Sequence, residues 1–330
     1  MTTTVDDATL LLDHPIGRHG NVAIRLASAE IRLVADSTDR VTVRIPSGRA
    51  LPDRVILETT DGGVTIREKE SLGLAFGIAR GTVQIEVGLP ADAEVAVDTA
   101  SGWVDAVGLV GPQQYRTASG DIRLRAGGGR IDVNAVSADV TVELAATGDL
   151  RARTVSGDVT IRGGSLGSLR LNTTSGDVAL DSPLTSRTDN TIETLSGDVR
   201  LLATGGLRVE ARTVSGDITS DLPHRTEGRM GRRTLIVGDG AIELAFRSVS
   251  GELRIHAAGE SPHEAHQAAD EDASADPAAE RAATASAARP TDEPDRMAIL
   301  RALEAGEIDV ATAMDRLAAQ EAATAEPEHA

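Results

Sequence analysis

The feature that most constrains the fold is a six-residue phrase that returns along the chain. TVSGDV at 154–159 is followed by TTSGDV at 173–178, TLSGDV at 194–199 and TVSGDI at 213–218. The serine of this phrase recurs at Ser101, Ser119, Ser137, Ser156, Ser175, Ser196, Ser215 and Ser250. Successive serines are 18, 18, 19, 19, 21, 19 and 35 residues apart, and the last interval is interpreted as two periods with one degraded copy. A fixed period of this length is typical of a solenoid, in which each repeat forms one coil and the coils stack.

The residues before each serine alternate between apolar and charged side chains. In LRARTVS, 150–156, leucine, alanine, threonine and serine alternate with arginine, arginine and valine. Alternation with period 2 is typical of a strand with one buried face. After the glycine the apolar residues resume in a new phase, so a corner is expected there. The sequence therefore predicts an all-β fold, a parallel β-solenoid or β-helix of about 18–21 residues per coil.

Each letter of the phrase has a structural role. The inward threonine is expected to bond to another hydroxyl or to bent backbone at the corner. The glycine supplies the dihedral freedom of the corner, and the aspartate is expected to accept nearby backbone N–H groups in an Asx-type turn. Because one coil cannot bury its own apolar strip, the coils must stack about 4.8 Å apart, and the end coils need covers.

The remaining chain divides by composition. Residues 1–256 are assigned to the solenoid, with 8–98 as N-terminal coils or cap, because this stretch repeats the strand pattern without the phrase. Residues 257–293 are acidic and without apolar periodicity, which predicts a disordered linker. Residues 294–322 read as two short helices and 323–330 as a disordered tail. A hairpin this small is expected to dock on the solenoid, on another copy or on a protein partner.

Composition excludes several classes of function. The formal net charge of −18 disfavours nucleic acid as a partner. The absence of cysteine removes disulfides and thiolate sites. No stretch resembles a secretory signal or a membrane span, so a cytoplasmic location is expected, with peripheral membrane association left open.

Three groups of residues are candidates for interaction: Trp103, the arginines of segment 219–233 and four apolar residues of the predicted helical hairpin. Trp103, the single tryptophan, occupies the usual aspartate position of the phrase, and the segment 219–233 is rich in arginine and is read as a protruding loop or as an anion or polymer contact. The full set of candidate interaction residues is Trp103, Arg225, Arg229, Arg232, Arg233, Ile299, Leu303, Met314 and Leu317.

The aspartates of the phrase form the other constellation considered. The column comprises Asp121, Asp139, Asp158, Asp177, Asp198, Asp217 and Glu252. Turn capping is the favoured interpretation, and calcium binding is the alternative. No catalytic, cofactor-binding or metal-binding residue is predicted, because identical carboxylates in identical turns do not provide a separate acid and base, and the usual nucleotide, hydrolase and metalloprotease motifs are missing from the sequence.

The repeats, together with GTVQIEVGLPADAEVAVDTASGWVDAVGL at 81–109, resemble the DUF4097 family of bacterial β-strand repeat proteins, also named "putative adhesin" or toastrack-type domains. The likeness covers roughly residues 20–256. RMAILRALEAGEIDVATAMDRLA at 296–318 resembles SHOCT-like helical hairpins that accompany such domains in some envelope-stress proteins. The resemblance implies a non-enzymatic bacterial scaffold or binding protein linked to envelope stress.

Three hypotheses follow from the sequence. The first is a scaffold or adaptor that binds a protein partner through the solenoid surface and residues 294–322. The second is a self-assembling structural protein of the bactofilin kind, and the third is a carbohydrate-active β-helix enzyme.

Overall fold

A computed structural model describes residues 8–47, 49–69, 81–185, 188–229 and 232–257. The chain divides into two compact units, Met1–His256 and Ala257–Ala330, and the strands belong to the first unit apart from Ala257. Within the described residues the fold is entirely β, which confirms the predicted fold class. The linker, helical hairpin and tail predicted after residue 257 lie outside the described residues.

The strands, in chain order, are β1 (Ala8–Pro15), β2 (Asn21–Asp36), β3 (Arg40–Pro46), β4 (Val55–Thr60), β5 (Gly63–Glu68), β6 (Val83–Pro90), β7 (Glu94–Val107), β8 (Gln113–Ser119), β9 (Ile122–Ala126), β10 (Gly129–Ser137), β11 (Val140–Ser156), β12 (Val159–Ser175), β13 (Val178–Asp181), β14 (Asn190–Ser196), β15 (Val199–Ala203), β16 (Leu207–Thr213), β17 (Ile218–Ser220), β18 (His224–Arg229), β19 (Arg232–Val237), β20 (Ile242–Ser248) and β21 (Leu253–Ala257).

The repeats stack as parallel rungs in register. Each rung has a leading arm, which ends at the serine of the phrase, and a trailing arm, which begins after the aspartate. Thr154 pairs with Ala135 on one side and with Thr173 on the other, and Ser175 pairs with Ser196. The leading arms therefore form one face of the stack and the trailing arms form another, with equivalent side chains aligned in columns.

The core is a set of aliphatic columns between the two faces. Leu150, Ala152 and Thr154 are 2%, 1% and 1% exposed, whereas Arg151 between them faces solvent. Thr154 and Thr173 are buried and aligned, as the alternation predicts. Two aromatic rings, those of Tyr115 and Phe246, are fully buried in this otherwise aliphatic interior.

The rungs do not follow chain order at the two ends of the stack. The rung of β20 and β21 lies between the rung of β14 and β15 and the rung of β16 and β17. At the other end, β2 lies between β7 on one side and the pair β5 and β6 on the other. The degraded copy expected between Ser215 and Ser250 is therefore wrong, since this interval contains the antiparallel hairpin β18–β19.

Antiparallel strands cover the ends of the stack. At one end β4 pairs with β5, β3 pairs with β6, and β1 pairs with β3. At the opposite end β19 pairs with β16, and β18 pairs with β19. These covers occupy backbone groups that the end rungs would otherwise present to solvent.

Candidate functional site

The corner carboxylates form a continuous column at the surface. The backbone N–H groups of Asp158, Asp177 and Asp198 donate to the Oδ1 atoms of Asp139, Asp158 and Asp177, at 2.9, 2.8 and 2.9 Å. The N–H of Glu252 continues the series to Asp198 at 3.0 Å. Each of these bonds joins two rungs, so the expectation of a bond within the aspartate's own turn is corrected.

This bonding explains why the aspartates recur. Each carboxylate satisfies a backbone donor of the following rung, where the corner interrupts the ladder, and so it acts as a structural acceptor. In the part of the chain that the structure describes, no group of three or more His, Cys, Asp or Glu residues is arranged to hold a metal ion. The calcium alternative thus receives no support from the geometry of these residues.

Trp103 interrupts the carboxylate column. It pairs in register with Glu30 on one side, and the N–H of Val104, the next residue, donates to the carbonyl of Asp121 on the other. The indole is 40% exposed. The structure therefore places this predicted interaction residue at the surface, between two acidic residues and remote in sequence from the other candidates.

The outer face of the trailing arms carries oppositely charged residues on adjacent rungs. Arg125 lies 2.7 Å from Asp105, and Arg162 forms an ion pair with Glu143. The hydrogen bond from Arg162 is the largest influence that lowers the pKa of Glu143 below its ordinary value, followed by burial acting in the opposite sense and by the charges of neighbouring arginines. These pairings neutralise much of the charge on this face.

The outer face of the leading arms contains a shallow groove of about 510 Å³ with mixed charge. Arg151 and Asp132 are among its lining residues, and Arg170 lies 3.6 Å from Asp189 at one side. Because basic and acidic side chains are interleaved, the groove offers hydrogen bonds without a net field of either sign.

The arginine-rich segment is a β-hairpin over most of its length and was wrongly interpreted as a loop. Arg225 pairs with Ile236 and is exposed, and Arg229 pairs in backbone register with Arg232. Arg233 lies 3.7 Å from Asp217. The four arginines that the sequence grouped together are therefore distributed over both strands, and one of them is used in an ion pair.

The fold adds two arginines that the sequence did not associate with this hairpin. Arg247 pairs directly with Arg212. The pairing of Ala211 with Arg233, continued by one residue, places Arg232 beside Arg212. We call Arg247, Arg212 and Arg232 the arginine row. The sequence did not predict the arginine row, because the row depends on the position of β20 beside β16. No local sequence pattern indicates that pairing.

Four candidate residues, Ile299, Leu303, Met314 and Leu317, lie outside the described residues, so their predicted role remains a prediction. Among the residues described, no helix is long and apolar enough to span a membrane.

A family model described as Toastrack DUF4097 matches residues 19–284. The match confirms the resemblance drawn from the repeats, while the likeness of residues 296–318 to SHOCT-like hairpins remains a prediction. No curated protein gives a significant match.

Three solved bacterial structures are similar to this chain at low identity. A "putative cell adhesion protein" from Clostridium sporogenes is 9% identical with a TM-score of 0.26, and the alignment covers 76% of this chain and 98% of that one. A "putative adhesin" from Bacteroides fragilis is 13% identical with a TM-score of 0.30, covering 76% and 97%. A "putative lipid binding protein" from Parabacteroides distasonis is 13% identical with a TM-score of 0.27, covering 76% and 97%.

Proposed function

This chain belongs to the Toastrack DUF4097 family, and from that premise we propose that it is a non-enzymatic scaffold that binds an elongated partner along an outer face of its stack. The observation that carries the proposal is the in-register stacking of the rungs, which aligns outward side chains in straight columns. A partner that lies across the strands meets one aligned outward side chain per rung, about every 4.8 Å.

The similar environments of the surface carboxylates support a non-enzymatic role. The aligned carboxylates have similar environments, because several of them accept the backbone N–H of the next rung. General acid and base catalysis requires carboxylates with different environments. The column therefore supports a scaffold better than a carbohydrate-active enzyme.

The covered ends of the stack favour a scaffold over end-to-end polymerisation. A bactofilin-like filament would continue the parallel ladder from one copy to the next. Here the antiparallel strand β19 covers the leading arm β16 at one end of the stack. At the other end, the antiparallel strands β4 and β3 cover both arms, β5 and β6. A second copy added beyond these strands would not continue the parallel register.

We further propose that residues 294–322 provide a second contact to a protein partner. Their apolar positions and small size support a role in docking. The resemblance of 296–318 to SHOCT-like hairpins supports placing that partner in the envelope stress response.

Site-specific photocrosslinking in cells tests the scaffold role. A crosslinking amino acid would replace Thr141, Thr160 or Ala179, which are aligned on the trailing face, and Gln114 or Thr191 on the leading face would serve for comparison. We expect one partner to be captured from consecutive rungs of one face. Capture from neither face, or from single scattered positions, would contradict an elongated contact.

Truncation tests the second contact. A chain that ends at His256 should keep the melting temperature of its β-strands and should reduce the yield of the same crosslink at least tenfold. An unchanged yield would refute a role for residues 294–322.

A further inference from the structure

The arginine row crosses adjacent strands on the outer face of the leading arms. Arg247 on β20 and Arg212 on β16 are direct neighbours, and Arg232 on β19 follows in the continued antiparallel register. All three side chains are exposed. Since neighbouring strands lie about 4.8 Å apart, the row places one arginine per strand at that interval along the backbone.

Two of these guanidinium groups are uncompensated. Arg247 lies 2.6 Å from Glu193, whereas the guanidinium groups of Arg212 and Arg232 make no hydrogen bond or ion pair with any residue that the structure describes. On the trailing face, Arg125 and Arg162 pair with acids on adjacent rungs, and the exposed Arg123 and Arg200 lie on rungs that are not adjacent to one another. Two neighbouring like charges without partners among the described residues favour an external anion.

Apolar residues border the arginine row on one side and an acidic residue borders it on the other, so the positively charged surface is narrow. Val249 follows Arg247 by two residues toward the corner, and Val214 follows Arg212 in the same way. These two valines are 43% and 82% exposed. On the side of Arg212 away from the corner lies Glu210, which is the neighbouring outward residue of β16. Glu210 lies 3.7 Å from Arg208. A broad anionic surface such as a membrane would meet Glu210 together with the arginines. A single anionic chain would contact the arginines alone.

We propose that the arginine row binds a linear acidic polysaccharide that carries one carboxylate on each sugar. Guanidinium groups pair with carboxylates in a bidentate geometry, and a chain with one carboxylate on each sugar can turn several of them toward neighbouring guanidinium groups. The net charge of −18 does not prevent this, because charges farther away than about 8 Å are screened at physiological ionic strength. The inference rests on the proposed scaffold function and names the chemical class of one ligand.

Binding of oligogalacturonates to the full-length chain tests the proposal. The probes would be galacturonate oligomers of three and eight sugars, a neutral dextran oligomer of equal length, and vesicles of phosphatidylglycerol and phosphatidylcholine. We expect the eight-sugar acid to bind at an ionic strength of about 0.15 M, the affinity to fall as salt is raised further, and dextran not to bind.

Paired variants identify the site. R212Q/R232Q should weaken oligogalacturonate binding at least tenfold. R123Q/R200Q removes the same charge from two exposed arginines that are separated on the trailing face, and it should change the affinity less than twofold. Equal circular dichroism spectra and melting temperatures would show that both variants fold.

Equal losses in the two variants, no binding of the eight-sugar acid at an ionic strength of about 0.15 M, or binding of vesicles in place of the oligomer would each overturn the proposal. None of these results affects the photocrosslinking of a protein partner, so failure of the polysaccharide site and failure of the scaffold role are distinguishable.

Discussion

The carboxylate of Asp158 accepts a hydrogen bond from the backbone N–H of Asp177 on the neighbouring rung, with 2.8 Å between Oδ1 and N. The N–H of Asp158 itself donates to Asp139. The phrase Ser-Gly-Asp therefore repeats because the acceptor on one rung matches the donor on the next. A rung that lacked the acid would leave a backbone donor of its neighbour without this partner.

We expect Asp158→Ala to destabilise the protein by about 1–2 kcal/mol, because the N–H of Asp177 loses its acceptor. Asp158→Asn retains a carbonyl oxygen at the same position and removes a charge from a column of like charges, so its effect should stay within about 0.5 kcal/mol. Urea unfolding of the two variants checks the expectation. Equal destabilisation by Ala and Asn would contradict the structural role of the acceptor.

The corner glycines carry the second prediction. Gly176 has φ of 128°, and a Cβ built there would lie 2.3 Å from the carbonyl oxygen of Gly157. Gly176→Val should therefore destabilise by more than about 2 kcal/mol. Gly205 has no atom within 4 Å of a built Cβ and no positive φ, so Gly205→Val is the matched control and should change the melting temperature little. Similar melting temperatures for both variants would contradict the corner assignment.

The sequence predicted the rungs but not their order. The repeat, the inward threonines and the corners follow from local alternation, since each strand needs one apolar face. The placement of β20 between β14 and β16 is a contact among segments far apart in the chain, and the strand pattern of β20 is the same whichever neighbours it has. The 35-residue interval between Ser215 and Ser250 indicated that the repeat is interrupted. It did not indicate which structure occupies the interruption.

Some features of the candidate site could likewise be predicted from the sequence, and others could not. Exposure of Trp103 and Arg225 could be expected from their residue types and positions. The pairing of Arg212 with Arg247 depends on the unexpected rung order, so no spacing in the sequence indicated it. The ladder of Asp139, Asp158 and Asp177 was predicted as a column, but its bonds link rungs because the corner leaves N–H donors facing the neighbouring coil.

The rung of β20 and β21, which lies between two other rungs, gives the third prediction. Phe246 is fully buried and lies on β20, which is flanked on both sides. Phe246→Ala should destabilise by about 3–5 kcal/mol, as in the interior of a domain. Val214→Ala, at a side chain that is 82% exposed, should stay within about 0.5 kcal/mol. A cost for Phe246→Ala as small as that of the control would mean that β20 is not packed between its two neighbouring strands.

The inward hydroxyls differ in their bonding, which gives the fourth prediction. Thr117 Oγ1 donates to the carbonyl of Ser119 at 2.8 Å, whereas Thr154 Oγ1 is buried without a partner among the described residues. Thr117→Val should therefore destabilise by about 1 kcal/mol, and Thr154→Val should be neutral or stabilising by up to about 1 kcal/mol. Urea unfolding of the two variants provides a matched comparison. Equal costs would show that the hydroxyl at position 154 finds a partner in solution.

The ion pair of Glu143 and Arg162 gives a prediction on pH. The hydrogen bond from Arg162 is the main cause that lowers the pKa of Glu143 from its ordinary 4.5. Because the folded-state pKa is the lower one, the stabilisation is fully present above about pH 4.5 and is lost as the pH falls through the folded value. The pair is exposed, so its contribution should be under about 1 kcal/mol.

Arg162→Gln should raise the pKa of Glu143 toward its ordinary value, and a carboxyl-detected NMR titration measures the shift. The control is Arg200→Gln, which removes an equal charge from a distant rung of the same face and should leave the titration midpoint in place. A midpoint that moves equally in both variants would assign the low pKa to the general field of the arginines, since Arg125 and Arg123 also lower it. A midpoint that moves only in Arg162→Gln would locate its cause in the hydrogen bond between these two rungs.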